Sequence, residues 1–318
     1  VLPRPDHKTL AYAVDYFGRR IYEIHFKDLN TGKELRVKIK GVTPQFEWAN
    51  NNQDIFYIKQ DLKTLRWDQL WRFNFSSLKA NLVFEEINQE YYLYLRKSNN
   101  GKVLFLTSES STTSEVSYIE TSSPASEPKV IQSRIDGVLY FAYDGGDRFY
   151  LRTNYRAKNF KIVKVVKKAG ELGFQYWKDI NEYDDSEYLK YIQVYEDFIV
   201  AEVRKDGLNK FKVISRTSKL RGYDVEFDQE SYYASLVESM PYNSGSFRYR
   251  IESVTTPRED IEYQVFKRED SVVREQIIPY FSSSNYKIET IEVKSHDDQM
   301  IPVTIVHHSK TQKSSETP

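Results

Sequence analysis

The sequence predicts an all-β chain folded as a β-propeller, and three observations carry that expectation. A unit of polar turn, apolar or aromatic strand, second turn and further strand recurs along the 318 residues. Its turns fall at residues 6, 54, 101, 147, 197 and 246, spaced by 48, 47, 46, 50 and 49 residues, roughly the blade length of a kelch-sized propeller. Aromatics make up 15% of the chain, and Tyr and Phe stand beside abundant Ile and Val. Those residues suit a pleated, half-buried surface, and flat rings fill the wedges between blades. About six four-stranded antiparallel blades are expected, with almost no helix.

Each unit is read from its turn. In the first, Asp6-His7-Lys8 opens the strand Thr9–Asp15, and Ile21–Phe26 returns. In the second, Asn52-Gln53-Asp54 precedes Ile55–Ile58, followed by Gln69–Phe73. The third pairs Val103–Leu106 with Glu115–Ile119, and the fourth pairs Arg148–Thr153 with Phe160–Val165. The fifth pairs Phe198–Val203 with Lys210–Ile214, and the sixth pairs Phe247–Glu252 with Asp260–Val265. After them Tyr286–Val293 alternates, turns at His296–Gln299 and returns as Ile301–Val306. That is one hairpin, about half of a four-stranded blade. A lone hairpin is marginal in water, so it belongs to a neighbouring domain. Residues 309–318 are polar and read as a disordered tail.

Forty-six basic residues balance forty-six acidic ones, which leaves no electrostatic footprint for nucleic acid or an anionic membrane. No apolar run approaches the roughly 20 residues of a spanning helix, and the first residues do not read as a signal peptide. With no cysteine, disulfide stapling and thiolate chemistry are excluded. A reducing compartment, the cytoplasm, is expected.

Candidate chemistry is sparse. His296-Asp297 sits on a hairpin tip, where adjacent side chains diverge, and reads as a turn. His307-His308 are consecutive strand residues facing opposite sides, which is no metal site. The pairs Glu85-Glu86, Asp184-Asp185 and Asp297-Asp298 read as solvated charges, and His7 and His25 as lone residues. Trp48, Trp67, Trp71 and Trp177 read as inter-blade core. No cofactor, metal or catalytic residue is expected among these residues. The G-x-S-x-G elbow that lifts a nucleophilic serine is lacking, the nearest stretch being Asn243–Phe247 in a blade turn.

Several motifs carry a resemblance. They are Pro5–Lys8 through Ala11-Tyr12, with Arg4 where Ser is usual, then Phe17–Tyr22, Asp28–Gly32, Pro44–Asn50 and Gln69–Arg72. Further along come Thr112–Val116, Arg148–Asn154 with Lys158–Phe160, then Tyr249 with Glu252–Pro257, and Ile301–Val306. In order and spacing the chain resembles the oligopeptidase B branch of the prolyl oligopeptidase family of serine peptidases, over about residues 1–308. The resemblance implies a seven-bladed propeller that caps an α/β-hydrolase domain. It implies cleavage of short peptides after Lys or Arg by a Ser-Asp-His triad. On it, residues 1–280 are the propeller, N-terminally incomplete with six of seven blades, and 281–308 begin the hydrolase domain. No position matches the triad, so this chain alone is expected to be inactive and to need a catalytic domain in cis or in trans. An open wedge with two wet aromatic blade faces, and hence poor solubility, is also expected. The resemblance further implies that an arginine matching Arg20, beside Arg19, forms an inter-domain salt bridge. The competing reading of that pair is exposed hairpin arginines worth little energetically. The competing reading of the whole chain is a non-catalytic propeller that binds a peptide or protein partner.

Overall fold

The computed structural model describes residues 1–318 except 169, 228, 230, 238, 239, 313 and 315–318. Part of the expected tail 309–318 therefore lies outside the described residues. The chain divides into two compact units, Val1–Tyr183 and Asp184–Pro318. Among the described residues, helix is confined to the 3-10 turns Phe174–Tyr176 and Ser283–Asn285.

In the first unit, blade 1 comprises β1 (Leu2–Pro3), β2 (Thr9–Val14), β3 (Tyr22–Asp28) and the first half of β4 (Glu34–Trp48). Blade 2 takes the second half of β4 with β5 (Asp54–Gln60), β6 (Trp67–Asn74) and β7 (Lys79–Glu85). Because β4 runs through, the two blades form one seven-stranded sheet rather than two separate ones. Its register slips between Val42 and Phe46, around Pro44, and Gly41 adopts φ +68. A bulge of this kind bends a strand without ending it. Blade 3 holds β8 (Tyr92–Lys97), β9 (Val103–Glu109), β10 (Ser114–Glu120) and β11 (Lys129–Gln132). Blade 4 holds β12 (Tyr140–Asp144), β13 (Arg148–Thr153), β14 (Lys161–Val166) and β15 (Lys178–Asp179).

In the second unit, blade 5 holds β16 (Tyr188–Val194), β17 (Phe198–Lys205), β18 (Leu208–Ser215) and β19 (Tyr223–Val225). Blade 6 holds β20 (Tyr233–Leu236), β21 (Ser246–Glu252), β22 (Glu259–Gln264) and β23 (Glu269–Glu275). Then β24 (Tyr286–Lys294) and β25 (Met300–His308) pair with each other as a two-stranded sheet.

The core lies between successive sheets, and strand parity builds it. Along a strand, alternate side chains point to opposite faces. In β5, Ile55 and Tyr57 enter a cluster with Ala11, Ile24 and Phe26 of blade 1. Their neighbours Phe56 and Ile58 enter a second cluster with Leu93, Leu95, Leu104 and Leu106 of blade 3. In β9, Val103 and Phe105 pack toward Phe149 and Leu151 of blade 4. Both faces being covered, these strands read as unbroken apolar runs. The tryptophans follow expectation: Trp48 is in the core, and Trp71, Trp67 and Trp177 pack against it.

Blade 6 is different. Phe247, Tyr249 and Ile251 pack toward Phe198, Phe211 and Val213 of blade 5. On its other face Arg248 pairs with Glu262 at 2.9 Å and Arg250 with Asp260 at 2.7 Å. Blade 1 likewise turns Tyr12, Glu23 and His25 away from its core face, with Lys40 3.2 Å from Glu23. The expectation of aromatic end faces is corrected for blade 6, whose outward face carries ion pairs, whereas that of blade 1 carries the Tyr12 and His25 rings beside charge. Exposed apolar side chains include Val272 and Val273 of β23 and several of the hairpin.

Two-sided burial sets the expected cost of substitution. Phe105→Ala removes a ring held between two blades and lowers unfolding free energy by about 3–5 kcal/mol. Arg250→Ala on the polar face of blade 6 costs less than about 1 kcal/mol. Denaturant midpoints at a constant m-value check both.

Candidate functional site

The turn from β2 to β3 is built around one carboxylate. Asp15 accepts the amides of Phe17 at 3.2 Å, Arg19 at 3.2 Å and Arg20 at 2.7 Å. Desolvation pushes its pKa up, but the amides of Arg20, Phe17, Arg19 and Gly18 outweigh it, and the net shift is downward. Gly18 and Arg20 both take left-handed backbone, at φ 67 and 59. Glycine does so freely, whereas arginine needs surrounding support. The support is two-sided: Asp15 holds the Arg20 amide, and the buried Gln60 of β5 donates its amide to the Arg20 carbonyl at 2.6 Å.

The side chains point outward. Phe17 is 84% exposed and Tyr16 59%. The guanidinium groups of Arg19 and Arg20, also exposed, have no partner among the described residues. The turn thus brings together both arginines singled out from sequence and adds two aromatic rings, Tyr16 and Phe17, to which the sequence reading gave no role. Their signal was local: apolar residues standing in a turn where polar ones are expected.

Behind the turn, Tyr16 bonds through its hydroxyl to Nε2 of His25 at 3.2 Å. His25 is 2% exposed, stacks on Tyr12 at 5.4 Å, and lies 3.7 Å from Glu23 and from Glu34. Tyr12 donates its hydroxyl to Glu34, and this bond, with burial, pushes the Tyr12 pKa up to about 12. His25, read from sequence as a lone residue, is the buried post on which the turn rests.

The other candidates are placed as follows. Asp298 takes φ 65 in the β24–β25 turn and pairs with Lys294, while His296 contacts Ser295. His307 pairs with Glu289 at 3.3 Å, and His308 stands on the opposite face against Tyr286. Ser244 accepts the Ser246 amide at 3.0 Å in the turn before β21. Asp184 caps its own loop at Ser186. Glu86 corrects the expectation of a solvated charge: it is 3% exposed, 2.7 Å from Arg134 and hydrogen-bonded by Ser108. Burial raises its pKa, yet Arg134, Ser108 and the Asn88 amide win and hold it below the ordinary value.

Four-stranded antiparallel sheets recurring with interleaved apolar faces define a β-propeller. The family described as prolyl oligopeptidase, N-terminal β-propeller domain, matches residues 2–276, and the chain belongs to it. It is 28% identical over 317 residues to dipeptidyl aminopeptidase BI of Pseudoxanthomonas mexicana, covering 98% of this chain and 43% of that protein. It is 28% identical over 309 residues to protease 2 of Moraxella lacunata, covering 95% and 43%. Among solved structures, oligopeptidase B from Leishmania major superposes with a TM-score of 0.88 at 22% identity, covering 96% of this chain and 44% of that one. The Trypanosoma brucei enzyme with covalently bound antipain, in a closed form, gives 0.86 at 23%, covering 98% and 45%. The chain spans less than half the length of these proteins. Among the described residues no helix is long and apolar enough to cross a membrane.

Asp15→Ala should free the turn. Trypsin then cuts after Arg19 or Arg20 about tenfold faster than in the wild type, as read by mass spectrometry, because local opening governs cleavage. The amides hold the Asp15 carboxyl below the ordinary aspartate range, so its stabilising bonds are intact at neutral pH and lost only as pH falls through that lowered pKa. The Arg20 amide proton resonance should hold its position from neutral pH down through the range in which an ordinary aspartate titrates, and move only at more acidic pH.

Proposed function

We propose that this chain is the substrate-gating propeller of an oligopeptidase B-like serine peptidase that cleaves short peptides after Lys or Arg. The peptide-bond chemistry is supplied by a catalytic domain outside residues 1–318, in cis or in trans, and this chain alone is inactive. The observation that carries the reading is the match to the family's propeller over residues 2–276, followed by a hairpin that joins no blade. On that hairpin Ile291, Val293, Ile301, Val303 and Ile305 share one face by register, and each is exposed. A five-residue apolar face on a two-stranded sheet calls for a covering sheet or helix. The opposite face touches blade 5 and its following loop at two points, with Pro302 3.7 Å from the Cβ position of Gly207 and Thr304 3.1 Å from Ser231. Residues 281–308 are accordingly assigned to the start of the catalytic domain.

The Asp15 turn is the proposed contact by which that domain closes. Arg20 offers a planar fork suited to a carboxylate, on backbone already fixed at both ends. Tyr16 and Phe17 beside it supply apolar area. The closed form recorded for the Trypanosoma brucei enzyme supports a gating role.

Two measurements test this. With a short Arg-containing fluorogenic peptide and a serine-directed probe, the chain alone should give no turnover and no label. Turnover that survives repurification and depends on one of its serines contradicts the reading. In a protein joining this chain to its catalytic domain, Arg20→Ala should alter KM or kcat, with Arg20→Lys intermediate and the thermal midpoint unchanged. Identical kinetics in all three would reduce Arg20 to a solvated arginine.

A further inference from the structure

Blade 4 carries a cleft of about 560 Å³ on its outer edge, inside the range of small-ligand sites. Three rings shape it. Tyr155 and Phe174 lie parallel at 4.2 Å and 17°. Trp177 stands edge-on to Phe174 at 4.7 Å and 70°, and to Tyr155 at 6.2 Å and 87°. The result is a corner with two nearly perpendicular aromatic walls, against which a further ring gains one stacked and one edge contact. All three rings are half-buried, so the cluster is no sealed core.

The corner is held rigid. Trp177 donates its indole N–H to the Leu172 carbonyl at 2.7 Å and packs on buried Tyr140 at 5.5 Å. The Phe174 amide is held by Gln132 Oε1 at 3.0 Å. A Cβ at Gly173 would meet that same oxygen at 2.9 Å, so a larger residue there would push the Gln132 amide off the Phe174 N–H.

Charge selects the ligand. Of the charged groups lining the cleft, Lys161 is bound to Asp179 at 2.9 Å. That leaves the Arg156 guanidinium, which lies 5.2 Å from the Tyr155 ring and has no ion pair among the described residues. Arg156 sits on left-handed backbone at φ 55. The hydroxyl of Tyr155 is likewise without a hydrogen-bond partner among the described residues. A cation would meet two cations against one carboxylate already engaged, so an aromatic cage for ammonium groups is disfavoured.

We propose that this cleft binds an aromatic ring bearing a carboxylate, with the ring against the Tyr155–Phe174–Trp177 cluster that lines it and the carboxylate on the Arg156 fork. The site is independent of the peptidase reading. That chemistry is offered by the C-terminal residue of a peptide ending in Phe, Tyr or Trp, and by a free aromatic acid.

Saturation-transfer NMR on this chain tests it with N-acetyl-phenylalanine, its amide, phenylacetate and N-acetyl-leucine. N-acetyl-phenylalanine should bind saturably, its amide and N-acetyl-leucine at least about tenfold more weakly, because each lacks one of the two contacts. Phenylacetate binding as well as N-acetyl-phenylalanine marks a free acid as the ligand, and weaker binding marks a peptide C-terminus. Arg156→Asn suits the left-handed backbone and should weaken N-acetyl-phenylalanine about tenfold, with an unchanged thermal midpoint. Phe174→Ala should weaken acid and amide alike. Equal binding of acid and amide, affinity indifferent to Arg156→Asn, or no saturable binding by folded protein would overturn the proposal.

Discussion

A strand covered by a sheet on each side has no face left for water, and in this chain that constraint decides most of the rest. β5 and β9 meet it by placing apolar side chains at successive positions, even ones toward one neighbour and odd ones toward the other. Such a strand has one workable register, because a one-residue slip exchanges its two faces. Its hydrogen-bond partners on either side are fixed with it, and the turns between them follow. The burial is continuous through the first unit from Ala11 to Val165, and within the second from Tyr195 to Val265.

Where the constraint lapses, charged groups and half-exposed rings gather. Blade 6 covers one face of β21 and leaves the other to arginine–carboxylate pairs. Blade 1 leaves His25, Glu23 and Glu34 on its free face, and the Asp15 turn stands on them. Arg20 is clamped on left-handed backbone through its amide and carbonyl, and its guanidinium is unpaired among the described residues. The aromatic corner of blade 4 has the same logic: rings fixed by Leu172 and Gln132 but not sealed by them.

The middle strands were legible because two-sided burial writes itself as unbroken runs such as Ile55–Ile58 and Val103–Leu106. The outermost strands were not. β23 is exposed at every position and β15 is two residues long, so neither has an apolar pattern to read. The continuity of β4 was hidden because Gly41 and Pro44 are ordinary breaking signals, overridden here by a bulge. Of the site, Arg19 and Arg20 came from family resemblance and the Asp15 cap is local. The Gln60 clamp comes from a residue 40 positions away, and Glu86 was misread because its partner Arg134 is 48 positions on. Contacts at that separation leave no trace in local pattern.

Hydrogen exchange resolved by mass spectrometry tests the central claim most directly, since slow amides mark segments that open only with the whole unit. Peptides covering 54–60 and 103–109 should be the slowest of the first unit. Within the second, 198–205 should be slow and 269–275 and 286–308 fast. Protection of 269–275 equal to that of 198–205, or fast exchange across 54–60, would contradict the account.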